Sequence, residues 1–166
     1  MEDLLQWRKN IDWENIGFGY IPTDKRFVAN YKDGAWDEGG LTEDPNIVMN
    51  ECAGVLQYAQ TVFEGMKAYT TEDGHIVTFR PDLNAKRMVD SAKRLEMPPF
   101  PEDRFVDAIV QTVKANEAYV PPYGTGATLY IRPYMFGINP VIGVNRLLTI
   151  SSVYLPLRLD RTSRAA

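Results

Sequence analysis

"ATLYIRPYMFG", residues 127–137, carries the pattern that decides the fold. Leu129 and Ile131 alternate with Tyr130, Arg132 and Tyr134. Successive side chains of a β-strand point to opposite faces, so this period of two predicts a strand with one apolar face. The other face carries a fixed positive charge between two phenols. A guanidinium in that place either answers an internal carboxylate or waits for an anion, since its planar fork suits carboxylate and phosphate alike. Glu64, in "VFEG", is the expected internal partner, and the pattern leaves the two readings level.

Working outward, the strand is preceded by "PPYGTG" and followed by "FGINPVIGV", both rich in chain-breaking Gly and Pro. Upstream, two helices are predicted. "RPDLNAKRMVDSAKRLEM" (80–97) has Pro81 near its start and an apolar stripe of Ala85, Met88, Val89, Ala92 and Leu95. "FPEDRFVDAIVQTVKANEAYV" (100–120) repeats the design with Phe105, Ile109, Val113 and an acidic first turn. Before the helices, "GMKAYTT" and "HIVTFRP" flank Glu72-Asp73-Gly74, a hairpin signal. "FVANY" and "AW" flank Lys32-Asp33-Gly34 in the same way, and "DEGGLTEDPNIVMNE" follows as loop or edge structure. Residues 2–9 are read as one short helix. Hairpins followed by two helices and a further strand give an α+β domain with a mostly antiparallel sheet.

The chain has 166 residues, 45% of them hydrophobic and 24% charged, enough for one domain with a real core. A net charge of −4 argues against a nucleic-acid partner, since phosphate binding needs concentrated Lys and Arg. No apolar run approaches the roughly 20 residues needed to span a bilayer, and the N-terminus lacks the pattern of a signal peptide. The single cysteine, Cys52, allows no internal disulfide and suits a reducing cytoplasm.

Hydrolytic and metal chemistry find little support. One Cys and one His cannot build a zinc site, and "GTG" at 124–126 lacks the Lys-Ser/Thr of a phosphate loop. A Ser-His-Asp triad would have to use His75, which sits beside a turn and is expected to be solvated. Lys67 is expected on an exposed strand face. Arg87 is the other notable arginine, and its helical spacing by itself suggests a solvated face.

Taken together, "YAQTVFEGMKAY", "FRPDLNAKRM", "SAKRLEMP" and "VPPYGTGATLYIRPYMFGINPVIGV" resemble the N-terminal half of the branched-chain amino-acid aminotransferases, pyridoxal phosphate enzymes of fold type IV. "GFGYIPTD" and "YKDGAWD" extend the resemblance to roughly residues 12–144. It implies a small N-terminal aminotransferase domain over 1–144. It also implies a cytoplasmic homodimer in amino-acid biosynthesis, moving the amino group of Leu, Ile or Val to 2-oxoglutarate. By position, Arg87 resembles the arginine that holds the cofactor phosphate. Tyr130 and Arg132 resemble the pair lining the substrate side, and Glu64 the "FEG" glutamate close to that pocket. Phe18 and Tyr58 resemble walls for an aliphatic side chain. Val141, Ile142 and Val144 fall in the loop that closes over the partner subunit's site.

Residues 145–166 depart from the pattern and are read as a divergent tail, truncated or out of frame. The family's Schiff-base lysine would then lie outside this chain, which is expected to be inactive alone. Two other readings compete: a non-catalytic dimerisation or regulatory module paired with an intact subunit, and a relative of the D-amino-acid aminotransferases or aminodeoxychorismate lyases.

Overall fold

The computed structural model describes residues 23–142 and the backbone of 150–159. Its strands are β1 (Arg26–Lys32), β2 (Ala35–Trp36), β3 (Gly40–Thr42), β4 (Thr61–Phe63), β5 (Met66–Thr70), β6 (Ile76–Thr78), β7 (Thr128–Gly137) and β8 (Ile150–Leu159). Between them lie a short helix α1 (Gly54–Tyr58) and two longer helices, α2 (Pro81–Arg94) and α3 (Glu102–Ala115). The strands form one sheet in the order β2-β1-β8-β7-β5-β6, with β3 also pairing β1 and β4 also pairing β7. Every pairing between these strands is antiparallel, which makes this an α+β fold.

Both predicted hairpins form. Asp33 and Gly34 turn β1 into β2 with positive φ at both positions, and Gly74 (φ 83°) sits in the turn between β5 and β6. β7 alternates as its sequence requires. Leu129 and Ile131 are fully buried, Tyr130, Arg132 and Tyr134 half-buried. Register extends the two faces to neighbouring strands, because residues directly opposite one another share a face. Met66 stands opposite Ile131 and Val62 opposite Met135, all buried. Lys67 stands opposite Tyr130 and Phe63 opposite Tyr134, on the other face.

The helices cover the apolar face. In α2, Pro81 opens the first turn, Asp82 follows near the positive end of the helix, and Lys93 and Arg94 close the last turn. Its buried stripe is Ala85, Met88 and Ala92, with Asn84 beside them. α3 buries Phe105, Ala108, Ile109, Thr112 and Val113, and both helices join one core with β1, β4, β5 and β7. Leu95 departs from expectation: it follows the last helical residue and is 40% exposed. The chain turns away there through Glu96 at positive φ, and Met97, 2% exposed, takes the place in the core.

Ile150–Leu159 lies within the stretch read as a divergent tail. Its backbone forms β8 in the interior of the sheet, pairing with β7 from Thr128 to Gly137 and with β1 from Phe27 to Tyr31. The helix expected over residues 2–9 lies outside the described residues.

Candidate functional site

The polar face of β7 and the loop between β4 and β5 form the candidate site. Arg132 lies between two aromatic rings, its guanidinium carbon 4.9 Å from the Phe63 ring centre and 5.1 Å from that of Tyr130. Its Nη2 donates to Tyr130 Oη at 2.8 Å. Its Nε is buried and finds no hydrogen-bond partner among the described residues. A buried donor without a partner is costly to leave so, and an anion reaching this face would satisfy it.

The expected ion pair between Arg132 and Glu64 does not form. Glu64 belongs to Arg87, whose Nε and Nη2 donate to its two oxygens at 3.1 and 2.8 Å. Alternation along β7 fixed the face of Arg132 but not which helix edge would reach the loop first. α2 packs so that Arg87 lies over Glu64, which holds the guanidinium charged and raises its pKa through hydrogen bonding and then charge. Arg87 is therefore exposed but paired, its side chain 57% accessible against 11% for Glu64.

Two residues that the sequence pattern did not single out complete the loop. Asn84, 6% exposed, donates its amide to Glu64 Oε2 at 2.7 Å and to the Gly65 carbonyl at 3.2 Å. The available signal was a polar residue inside an apolar helical stripe, three positions before Arg87. Gly65 permits a close approach: a Cβ there would sit 2.5 Å from Tyr130 Oη.

Tyr134 stacks on Phe136 with ring centres 5.6 Å apart. Burial pushes its phenol above the ordinary value of 10.0, with a smaller opposing pull from the Arg26 guanidinium. Arg26, 7% exposed, ties its fork to the Asp44 and Asn46 carbonyls and so pins the loop after β3.

The other expected residues scatter. Tyr58 ends α1 and is 40% exposed, and Ile142 is 88% exposed. The Val141 amide donates to the Cys52 carbonyl at 3.3 Å, which ties its loop to the approach of α1. Phe18 and Val144 lie outside the described residues. Lys67, expected to be exposed, is half-buried because its rung opposite Tyr130 belongs to the crowded polar face. His75 is exposed beside Asp73, as expected of a turn residue. A cleft of about 350 Å³ between the β5–β6 turn and α3 contains neither arginine. Among the described residues no cluster of His, Cys, Asp or Glu could hold a metal ion. Nor is any described helix long and apolar enough to cross a membrane.

Similar proteins place this geometry in context. Residues 61–157 match the amino-transferase class IV family. A branched-chain-amino-acid aminotransferase of Haemophilus influenzae is 52% identical over 136 residues, which are 82% of this chain and 40% of that enzyme. The chain thus spans about two fifths of the length of that relative. In three dimensions it is similar to the branched-chain aminotransferase of Thermoproteus uzoniensis solved with norvaline. There the TM-score is 0.62 at 25% identity, covering 81% of this chain and 41% of that one. It is also similar to a T.th. branched-chain amino acid aminotransferase complexed with N-(5'-phosphopyridoxyl)-L-glutamate. That comparison gives a TM-score of 0.58 at 26% identity, over 81% of this chain and 41% of the other. With the family match running from β4 through most of β8 and including both Glu64 and Arg132, the chain belongs to the class IV aminotransferases.

Proposed function

We propose that this chain forms the small-domain part of a pyridoxal phosphate-dependent branched-chain aminotransferase. The enzyme would pass the amino group of leucine, isoleucine or valine to 2-oxoglutarate, as a cytoplasmic homodimer serving amino-acid biosynthesis. The observation that carries the reading is the unpartnered, buried Nε of Arg132 beside the Tyr130 hydroxyl that accepts from the same guanidinium. When bound, pyridoxal phosphate supplies the electron sink for bond changes at the substrate α-carbon.

The residues present fit that cofactor. Glu64 fixes Arg87 through Nε and Nη2, and Arg87 Nη1 makes no hydrogen bond among the described residues, leaving an exposed donor edge for a phosphate. Arg132 would take a substrate carboxylate, with Tyr130 holding the fork and Phe63 excluding water from one side of it. Tyr58, Phe18, Ile142 and Val144 would line or close the aliphatic side of the pocket. The small domain expected over 1–144 would take in β8 as well, since that strand lies inside its sheet.

The test is complementation. The 166-residue chain is co-expressed with the C-terminal remainder of the H. influenzae relative and assayed for amino transfer from leucine to 2-oxoglutarate. Activity from the pair, with leucine above D-alanine and none from the chain alone, is the expected result. A folded pair without leucine activity would overturn the proposal.

A further inference from the structure

We infer that Asn84 is a positioning residue that sets two arginine arms, those of Arg87 and Arg132, from a single corner of the chain. The inference rests on the anion-binding reading of those arginines given above.

The corner is Glu64–Gly65. The Asn84 amide has two hydrogens, and it directs them to consecutive residues, Glu64 Oε2 at 2.7 Å and the Gly65 carbonyl at 3.2 Å. From Glu64 the constraint passes to Arg87 through two bonds of 3.1 and 2.8 Å. Arg87 stands three residues beyond Asn84 on α2, the spacing that puts two side chains on one helix edge. From Gly65 it passes to Tyr130, whose hydroxyl occupies the space a Cβ would need. It ends at Arg132 Nη2, which donates to that hydroxyl at 2.8 Å.

Asparagine is a poor choice for a helix interior on propensity alone, because its side chain competes for backbone hydrogen bonds. Here it is 6% exposed next to Ala85, where an apolar residue would serve packing better. Both of its donors go to the corner. A further consequence follows for charge. Asn84 shares the Glu64 carboxylate with Arg87, which softens the repulsion that Glu64 presents to an anion arriving at the Arg87 edge.

The test uses the ¹⁵N-labelled chain, titrated with inorganic phosphate followed at Arg87 Nε–Hε and with glutarate followed at Arg132 Nε–Hε. Wild type, Asn84→Ala and Asn84→Leu are compared, the leucine nearly keeping the shape while removing the donors without adding charge. The expected result is that both dissociation constants rise about fivefold in Asn84→Ala, the effect of loosening one hydrogen bond to a charged group. Arg87 Hε also exchanges faster with solvent. If Asn84→Ala melts before it can be titrated, Asn84→Leu, which fills the space and adds no charge, gives the same reading. A lowered melting temperature with either constant unchanged overturns the inference, because a purely structural asparagine behaves that way. If wild type binds neither probe, the anion-binding reading fails and the inference falls with it. That outcome is distinguishable because the wild-type chain is itself silent.

Discussion

Replacing Gly65 by alanine separates the two ends of the site. The new Cβ would lie 2.5 Å from Tyr130 Oη and 3.2 Å from two of its ring carbons, and a contact below 3.0 Å forces movement. The atom in the way is the far end of a side chain, so the ring swings by roughly 0.5–1 Å rather than the backbone shifting. That swing stretches the 2.8 Å bond from Arg132 Nη2 toward or beyond the usual limit. Losing a hydrogen bond from a charged donor costs about 1.5–3 kcal/mol. Gly65 is not in the left-handed region, so alanine is compatible with its backbone and returns about 0.4–1 kcal/mol by restricting the unfolded chain. The net loss is about 1–2 kcal/mol, a melting temperature lower by about 2–8 °C for a chain of this size. Thermal unfolding followed by circular dichroism measures the loss, and the Arg132 Nε–Hε resonance reports the geometry. The substitution leaves the Arg87–Glu64 pair in place, so Arg87 resonances stay fixed. An unmoved Arg132 signal, or a shift of Arg87 as large as that of Arg132, would refute the reasoning.

The two faces of β7 should respond oppositely. Ile131→Ala, at a fully buried position, is expected to lower stability by about 2–5 kcal/mol, read as an earlier urea midpoint. Arg132→Leu gives up the bond to Tyr130 but also removes a donor that is buried without a partner, so the two effects offset in part. Its midpoint should fall less than that of Ile131→Ala, while glutarate binding is lost. Met88→Ala, 1% exposed in α2, should cost about 2–5 kcal/mol in the same assay. Asp82 and Asp73 are held below their ordinary value of 3.8, chiefly by hydrogen bonds from Arg80 and from Thr71 respectively. Carboxyls lowered in the folded state stabilise it above that value and lose the contribution as pH falls through the folded pKa. Melting temperature should therefore decline below about pH 4, and Asp82→Asn should flatten part of that decline. Both groups are exposed, so a change extending up to neutral pH would contradict the assignment. Tyr134, raised by burial, should resist ionisation above pH 10.0 in an ultraviolet titration, and Tyr134→Phe should remove a phenol that ionises above that value.

The division of labour between sequence and fold is visible in single residues. Alternation in residues 127–137 determined that Arg132 and Tyr130 share a face, because side-chain direction in a strand is a local property of two successive peptides. The turns at Asp33-Gly34 and Gly74, and the core stripes of α2 and α3, were legible for the same reason: each depends on spacing within a few residues. Leu95 lay at the limit of that logic, since a stripe does not announce where its helix stops. The aminotransferase pattern was legible because its motifs are long and ordered, so identity of the family needed no coordinates.

Partner choice needed them. Glu64 stood before two arginines, and spacing could not say that Arg87, 23 residues away, would reach it while Arg132 turned to Tyr130. Asn84 went unremarked in the sequence, and only the docking of α2 across the β4–β5 loop brings it to Glu64 and Gly65, about 20 residues back. The interior place of β8 between β1 and β7 is equally non-local. Local chain geometry sets the direction in which a side chain leaves the backbone, whereas register and helix docking set what it meets.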